Sequence, residues 1–167
     1  MKVTLKIDGR LLDEIRQDLA RPHPFAHERV GFLTAGVAAI AGGLTMIVRD
    51  YRPVEDEDYE LDRRVGAKIG SAAMRKAVQS AYRPPAALLH IHTHGGRGQP
   101  DFSQVDLNSA QSFVPGFFET TPRMPHGLLV LSDNSARGLL WVADGRAPLN
   151  IDFFTRIDAP LQRTWGS

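Results

Sequence analysis

A short apolar run, residues 86–92, constrains most strongly how this chain can fold. The run follows Pro84 and Pro85, which end the preceding helical pattern, and it leads toward Gly95 and Gly96. Apolar runs of this length between turn residues are typical of strands buried in the middle of a sheet. The sequence therefore predicts a sheet in which this run is a central strand.

The periodicity of the surrounding sequence predicts the elements that accompany this strand. Period-two alternation and turn signals predict strands at residues 3–7, 27–35, 44–49, 127–132 and 137–143, with an edge strand at 150–156. Helical spacing of apolar residues predicts helices at 10–20, 65–82 and 103–113. This order predicts an α/β (α+β) fold with a mixed central sheet flanked by helices. The acidic residues between 55 and 60 are expected to lie in a solvated loop.

The composition narrows the classes of function. A length of 167 residues predicts a single domain, residues 1–167. The net charge of +1 gives no electrostatic reason to expect nucleic acid or an anionic membrane as a partner. The absence of cysteine excludes disulfides, cysteine nucleophiles and thiolate metal ligands. Because neither a signal-peptide pattern nor a membrane-spanning apolar stretch is present, the chain is expected to be cytoplasmic.

Three histidines, His90, His92 and His94, alternate at the end of the central strand. Alternation places their side chains on one face of the sheet, with neighbours about 6–7 Å apart along the strand. Two such imidazoles can converge on one metal ion. An exposed sheet face that carries histidines without a metal is the alternative interpretation, but the dense spacing favours a metal site.

Downstream, Ser103 and Asp106 form a Ser-x-x-Asp pattern before a helical segment. The pattern is typical of a helix start, with the serine as N-cap and the acid near the first-turn amides. Because it follows the histidines across a short loop containing glycine and proline, Asp106 also stands where a third metal ligand is needed. Catalytic zinc sites have three protein ligands and leave the fourth position to water.

Glu28 stands at the head of another predicted strand, which is otherwise apolar. Its carboxylate is either simply exposed at the edge of the sheet or placed to transfer a proton at a metal centre. A carboxylate near a zinc-bound water can accept its proton and deliver it to a leaving nitrogen.

Together these residues resemble the JAMM motif of the JAB/MPN-domain metalloproteases, in particular the small stand-alone bacterial members. The parts of the motif appear in the order of the family: Glu28 in E-x-x-G-x-L, then His92-Thr93-His94, then Ser103-x-x-Asp106. The resemblance spans most of the chain. The sequence departs from the family at two points: Gly95 stands where the family usually has proline, and the stretch between His94 and Ser103 is one residue longer than usual.

The resemblance implies a cytidine-deaminase-like fold with one Zn²⁺ ion held by His92, His94 and Asp106. It also implies Glu28 as the catalytic acid and base, and Ser103 as a hydroxyl donor to the oxyanion. The implied activity is hydrolysis of the bond after the C-terminal glycine of a ubiquitin-like protein, in precursor maturation or in removal from targets. Because such members occur beside E1-like enzymes in bacteria, the resemblance also implies association with an E1-like enzyme.

Other classes fit part of this pattern. A catalytically silent JAB-like scaffold would only bind a partner, although such relatives typically lack the glutamate or a metal ligand. An amidohydrolase or a polymerase-and-histidinol-phosphatase-like hydrolase also has HxH at a strand end, but these enzymes build barrels that need a longer chain and place HxH near its start. Another small zinc amidohydrolase stays an alternative. A zinc nucleobase deaminase needs Cys-x-x-Cys ligands, and this chain has no cysteine.

Overall fold

A computed structural model describes residues 1–24, 26–40 and 42–158. Its helices are α1 (Gly9–Leu19), α2 (Ser71–Ser80) and α3 (Gln104–Thr120), with a short 3₁₀ helix at Asp56–Asp58. Its strands are β1 (Lys2–Asp8), β2 (Val30–Ile40), β3 (Gly43–Pro53), β4 (Ala87–Thr93), β5 (His126–Leu131), β6 (Ala136–Trp141), β7 (Leu149–Asn150) and β8 (Phe153–Ile157).

These strands form one mixed sheet in the order β7-β6-β5-β4-β2-β3-β1-β8. β4 lies near the middle, antiparallel to β2 and parallel to β5. Hydrogen bonds to a neighbour on each side therefore hold its backbone in place. The central strand predicted for residues 86–92 is confirmed, and so is the mixed α+β class.

Helices cover the two faces of the sheet around β4. On one face, Ile15 and Leu19 of α1 belong to the apolar cluster that includes Leu89 and Ile91. On the other face, α2 and α3 pack over residues that include Leu88. Because successive side chains of a strand point to opposite faces, β4 directs its histidines toward the face that carries α3.

The helix predicted at residues 65–82 is too long. α2 covers only Ser71–Ser80, and Ile69 pairs with Tyr59 through an antiparallel bridge. The segment before α2 is held extended by backbone hydrogen bonds, such as that from the Gly70 N–H to the Asp58 carbonyl at 2.8 Å. Pairing with a distant segment thus overrides the helical spacing of the apolar residues there.

α3 continues seven residues beyond the predicted end at residue 113. Pro115 lies inside the helix and removes one backbone N–H donor. Val114, Phe117 and Phe118 flank it and are buried, so packing against the sheet keeps the helix intact. Neither α3 nor any other helix of the described residues combines the length and apolar character needed to cross a membrane.

Three of the predicted strands differ from the structure by more than two residues or are divided, whereas the others agree to within two residues. β2 begins at Val30 rather than at residue 27, and β3 extends to Pro53 because its pairing with β2 continues past residue 49. The edge strand predicted at 150–156 is divided: β7 pairs with β6 at one edge of the sheet, and β8 pairs with β1 at the other.

The prediction of a solvated acidic loop at residues 55–60 is wrong for part of the loop. Asp56 forms an ion pair with Arg29, whose side chain is only 3% exposed. Asp58 is buried and pairs with Lys76 at 2.6 Å. The charges of this loop therefore help to attach it to the segment before β2 and to α2.

Candidate metal centre

The two histidines at the end of β4 converge. His92 is held in β4 between β2 and β5 and is 1% exposed. His94 follows the strand, and its N–H donates to the carbonyl of Leu131 at 3.1 Å. The Nε2 atoms of the two imidazoles are 3.1 Å apart. The convergence expected from period-two alternation is therefore present.

Asp106 faces both imidazoles from the first turn of α3. Its Oδ1 atom is 3.3 Å from Nε2 of His92, and its Oδ2 atom is 3.4 Å from Nε2 of His94. Ser103 is also the N-cap of α3: its Oγ accepts the Asp106 N–H, and Asp106 Oδ2 accepts the Ser103 N–H. The two interpretations of the Ser-x-x-Asp pattern are thus compatible, because this capping box orients the carboxylate that faces the histidines.

Glu28 approaches the same histidines from the neighbouring strand. Antiparallel pairing places Val30 opposite His92, so the residue two positions before Val30 lies across from His94. The Glu28 Oε1 atom is 3.9 Å from Nε2 of His94, and the Glu28 side chain is 31% exposed. Strand register therefore brings a carboxylate from far along the chain to the end of β4.

The separations among these atoms suit a tetrahedral metal ion. Glu28, His92 and His94 offer ligand atoms within 4.8 Å of one another and could hold a metal ion. The closest atoms of His92, His94 and Asp106 are separated by 3.1, 3.3 and 3.4 Å. Bonds of about 2.0–2.1 Å place the corners of a tetrahedron about 3.3–3.4 Å apart. The distance between the two imidazoles, and the distance from each imidazole to its nearer Asp106 oxygen, Oδ1 for His92 and Oδ2 for His94, are therefore all close to this spacing.

The carboxyl group of Asp106 is held in its anionic form. Partial burial would raise its pKa, but hydrogen bonds with His92 and Ser103 and the nearby imidazole charge outweigh that effect. The pKa of Asp106 consequently lies well below its usual range. An ionised carboxylate beside imidazoles is the ligand state that a divalent cation requires.

The other ring nitrogen of His92 lacks the support that metal ligands usually have. Its Nδ1 atom is buried, and the described part of the chain gives it no hydrogen-bond partner. Most metal-bound histidines donate this N–H to a carbonyl or carboxylate. Here the ring is instead held by packing, with the His94 ring at 4.8 Å and the His90 ring at 5.6 Å between centroids.

His90, the third histidine of the run, packs beneath the centre. Its ring stacks on Phe113 of α3 at 5.2 Å between centroids and meets Phe32 edge-on at 5.4 Å. Burial lowers the pKa of His90 to about 3, so the imidazole is neutral. Of the three histidines, His92 and His94 are therefore the better candidates for metal ligands, because they are the two that contact Asp106.

The centre opens into a cleft of about 370 Å³ between residues 64–67 and the start of α3. Glu28, Ser103 and Asp106 all line this cleft, so they can be reached from solvent. A larger cavity of about 470 Å³ lies on the other face of the sheet, over Leu33 and Ile91. That cavity contains none of the predicted site residues, so its size does not mark it as the reaction site.

The backbone conformation of the loop after His94 explains why glycine stands at residue 95, where the JAB/MPN pattern usually has proline. Gly95, Gly96 and Gly98 have φ angles of 63°, 69° and 93°. Proline, with φ fixed near about −65°, cannot occupy the position of Gly95 in this conformation. The longer loop thus follows its own left-handed path and still leaves Asp106 beside both imidazoles.

The sequence suggests a cleft wall at residues 51–64, and Arg64 does line the cleft opposite α3. It misses Val65, Gly66 and Ala67, which continue this wall, because the apolar spacing that begins at Val65 predicts a helix there. A glycine inside a predicted helix, Gly66, was the available signal that the assignment was weak.

A scan against protein-family models finds no match for this chain, and a search of curated proteins finds none either. The resemblance to the JAB/MPN metalloproteases therefore depends on the motif residues and on the contacts between them. What that resemblance implies about activity is accordingly a proposal.

Proposed function

We propose that this chain is a zinc-dependent hydrolase of the JAB/MPN type, cleaving the amide or isopeptide bond after the C-terminal glycine of a ubiquitin-like protein. The proposal is carried by four side chains from three parts of the chain that lie together: His92, His94, Asp106 and Glu28. The distances between their nitrogen and oxygen atoms, in the four pairs that make contact, range from 3.1 to 3.9 Å.

In this proposal the zinc ligands are His92, His94 and Asp106. Neutral imidazole and ionised carboxylate are ligand types that zinc accepts, and three of them leave one position open. The position of Asp106 supports its role, because its two oxygens face the two imidazoles at 3.3 and 3.4 Å. When bound, the ion would supply a Lewis acid that lowers the pKa of water and polarises the substrate carbonyl.

Glu28 is the proposed acid and base. Its Oε1 atom stands 3.9 Å from Nε2 of His94, whereas Oδ2 of Asp106 stands at 3.4 Å, so in this proposal Asp106 is the ligand and Glu28 the neighbouring carboxylate. It takes the proton from the attacking water and delivers it to the leaving nitrogen. The partial exposure of Glu28 in the cleft allows this contact with substrate.

Ser103 is the proposed donor to the oxyanion. Its Oγ accepts the Asp106 N–H at 3.1 Å, and a hydroxyl can accept one hydrogen bond while donating another. The cap therefore fixes the oxygen and leaves its hydrogen available to a group in the cleft. A donor aimed at developing negative charge typically contributes about 10²–10³-fold to kcat.

The form of the cleft supports a substrate with small residues at the scissile bond. Ala67 forms part of one wall, and its small side chain leaves space for an extended chain that ends in glycine. A ubiquitin-like protein or its conjugates would supply such a chain. An E1-like enzyme is the expected functional associate, since it activates the same glycine.

Two alternatives make different predictions for the same centre. A catalytically silent scaffold would bind a partner without cleaving it, but Glu28 stands beside the histidines here, as an acid and base would. Another small zinc amidohydrolase would cleave simple amides and would not need a ubiquitin-like protein.

The proposal is tested by zinc analysis and hydrolysis assays on protein purified without chelator. The substrates are a ubiquitin-like protein with a fluorogenic amide on its C-terminal glycine, and N-acetylglycine amide as a simple amide. We expect about one zinc per chain in the wild type. His92→Ala should lose the zinc, whereas Glu28→Gln should keep it and lose hydrolysis of the protein substrate by about 10²-fold or more.

Matched controls separate these effects from general damage. His90→Phe preserves the aromatic packing and should retain zinc, since His90 makes no contact with Asp106 among the described interactions. Glu57→Gln changes an exposed glutamate and should leave hydrolysis unchanged. A wild type without zinc would refute the metal centre. Zinc without cleavage of either substrate would favour the scaffold, and cleavage of the simple amide alone would favour the amidohydrolase.

A further inference from the structure

Gly66 lies directly against the carboxylate of Glu28. Its carbonyl oxygen accepts the N–H groups of His27 and Glu28, at 2.8 and 3.0 Å. These two bonds attach the cleft wall to the main chain just before β2. The backbone from which the Glu28 side chain extends is therefore fixed by the same residue that its carboxylate touches.

The absence of a side chain at Gly66 makes the observed position of the carboxylate sterically allowed. A Cβ atom at this residue would lie 2.5 Å from Oε2 and 2.7 Å from Cδ of Glu28. Carbon atoms in favourable contact are about 3.5–4.0 Å apart. Gly66 is not among the glycines with positive φ, so its backbone conformation is open to alanine. What glycine provides here is space beside the carboxylate.

The steric conflict would be relieved by moving the carboxylate rather than the fold. The atoms of Glu28 that a Cβ would meet lie at the end of a flexible side chain that is 31% exposed. The hydrogen bonds of Gly66 involve its backbone carbonyl and are retained by alanine. A methyl group at residue 66 would thus displace the carboxylate whose Oε1 atom stands 3.9 Å from Nε2 of His94.

We propose that Gly66 is a positioning residue for Glu28. Its carbonyl holds the main chain at the start of the Glu28 side chain, and its missing Cβ allows the carboxylate to stand beside His94. The catalytic part of this inference rests on the proposed function, in which Glu28 is the acid and base. The placement of the carboxylate is a structural effect that can be measured without any activity.

The first test compares Gly66→Ala with Gly116→Ala. A Cβ at Gly116 would have no atom within 4 Å, so that variant adds the same methyl group to open space. For Gly66→Ala we expect kcat to fall roughly 10- to 100-fold, with KM within about twofold of wild type and zinc content unchanged. Gly116→Ala should match the wild type in all three. Wild-type kcat in Gly66→Ala would overturn the proposal.

A double-mutant cycle distinguishes positioning from general loosening of the cleft. Glu28→Asp shortens the side chain by one methylene and withdraws the carboxylate from the space beside residue 66. In that background, Gly66→Ala should change kcat by less than about threefold, because the two effects share one contact. An equal loss of kcat in both backgrounds would mean that alanine disturbs the wall as a whole, and it would overturn the proposal.

Crystal structures of zinc-free wild type and Gly66→Ala provide the readout that needs no activity. We expect the Glu28 carboxylate to move by about 1 Å or more relative to His94, a displacement large enough to impair catalysis, while the backbone of residues 64–67 stays in place. An unmoved carboxylate would overturn the proposal even if kcat fell. If the wild type cleaves no substrate, the proposed function fails, and a displaced carboxylate would still support positioning by Gly66.

Discussion

His126 offers a direct test of how a buried polar side chain holds this fold together. Its side chain is 0% exposed. The N–H of Leu88 donates to its Nδ1 at 3.1 Å, and its Nε2 lies 3.1 Å from the carbonyl oxygen of Thr121. The imidazole must therefore be neutral with its proton on Nε2, so that Nδ1 accepts from β4 and Nε2 donates to the end of α3.

Replacing this imidazole with an apolar side chain removes both partners at once. In His126→Leu, the N–H of Leu88 and the carbonyl of Thr121 would be left without their hydrogen bonds from residue 126. A buried backbone group left without a partner costs about 1–3 kcal/mol, so the two together should lower the free energy of unfolding by about 2–6 kcal/mol near pH 7.

The effect of this variant should depend on pH. Burial lowers the pKa of His126 to about 4, whereas the unfolded side chain titrates near about 6.5. As the pH falls below about 6.5, the unfolded chain binds a proton that the folded chain does not, so the wild type loses stability until about pH 4. A difference of about 2.5 units corresponds to about 3 kcal/mol. His126→Leu has no imidazole at this position and does not lose this stability. The deficit of the variant, which is the difference between its free energy of unfolding and that of the wild type, should therefore shrink by about 3 kcal/mol between pH 7 and pH 4.

Urea unfolding followed by circular dichroism at pH 7, 6, 5 and 4, with a chelator present, measures this deficit directly. The other histidines occur in both proteins, so their contributions cancel in the difference between wild type and His126→Leu. His27→Leu, which replaces an exposed histidine, is the matched control. A deficit that stays the same from pH 7 to pH 4 would refute the reasoning, because it would mean that folding does not depress the pKa of His126.

Two further substitutions test local packing and capping by thermal and urea unfolding. Gly127→Ala would place a Cβ 2.5 Å from the backbone oxygen of Leu139 on β6, so it should destabilise by about 2–3 kcal/mol; a melting temperature equal to that of Gly116→Ala would contradict this. Ser103→Ala removes the hydroxyl that accepts the Asp106 N–H and should destabilise by about 1 kcal/mol; an unchanged urea midpoint would show that the cap contributes nothing measurable.

The sequence predicted the parts of the site that depend on local pattern. His92 and His94 could be placed on one face because alternation is a property of any strand, and residues 86–92 carry unmistakable boundaries. The capping box at Ser103 and Asp106 is equally local, since its hydrogen bonds span only three residues. The approach of Glu28 is different, because it depends on strand order and register, and only the resemblance to a known motif predicted it.

The parts that the sequence could not predict depend on pairing between distant segments. Residues 65–67 belong to a segment with helical spacing of apolar residues, yet the carbonyl of Gly66 accepts hydrogen bonds from the N–H groups of His27 and Glu28 instead of a helical partner. No local pattern marks His126 as a structural histidine either, because Thr121 is near in sequence but Leu88 lies on another strand, 38 residues away. In each case a non-local hydrogen bond, invisible to periodicity, decides the role of the residue.

The capping box also explains why a loop of unusual length leaves the centre intact. If Asp106 were positioned by the loop after His94, one added residue would shift its carboxylate by up to about 3.3–3.6 Å, the reach of one residue. The carboxylate is instead oriented by its own helix, through the hydrogen bond from the Ser103 N–H at 2.7 Å. α3 in turn is placed by buried residues such as Phe117, against the same sheet that carries the histidines. The loop only has to connect two elements that packing has already positioned, and Gly95 and its neighbours give it the freedom to do so.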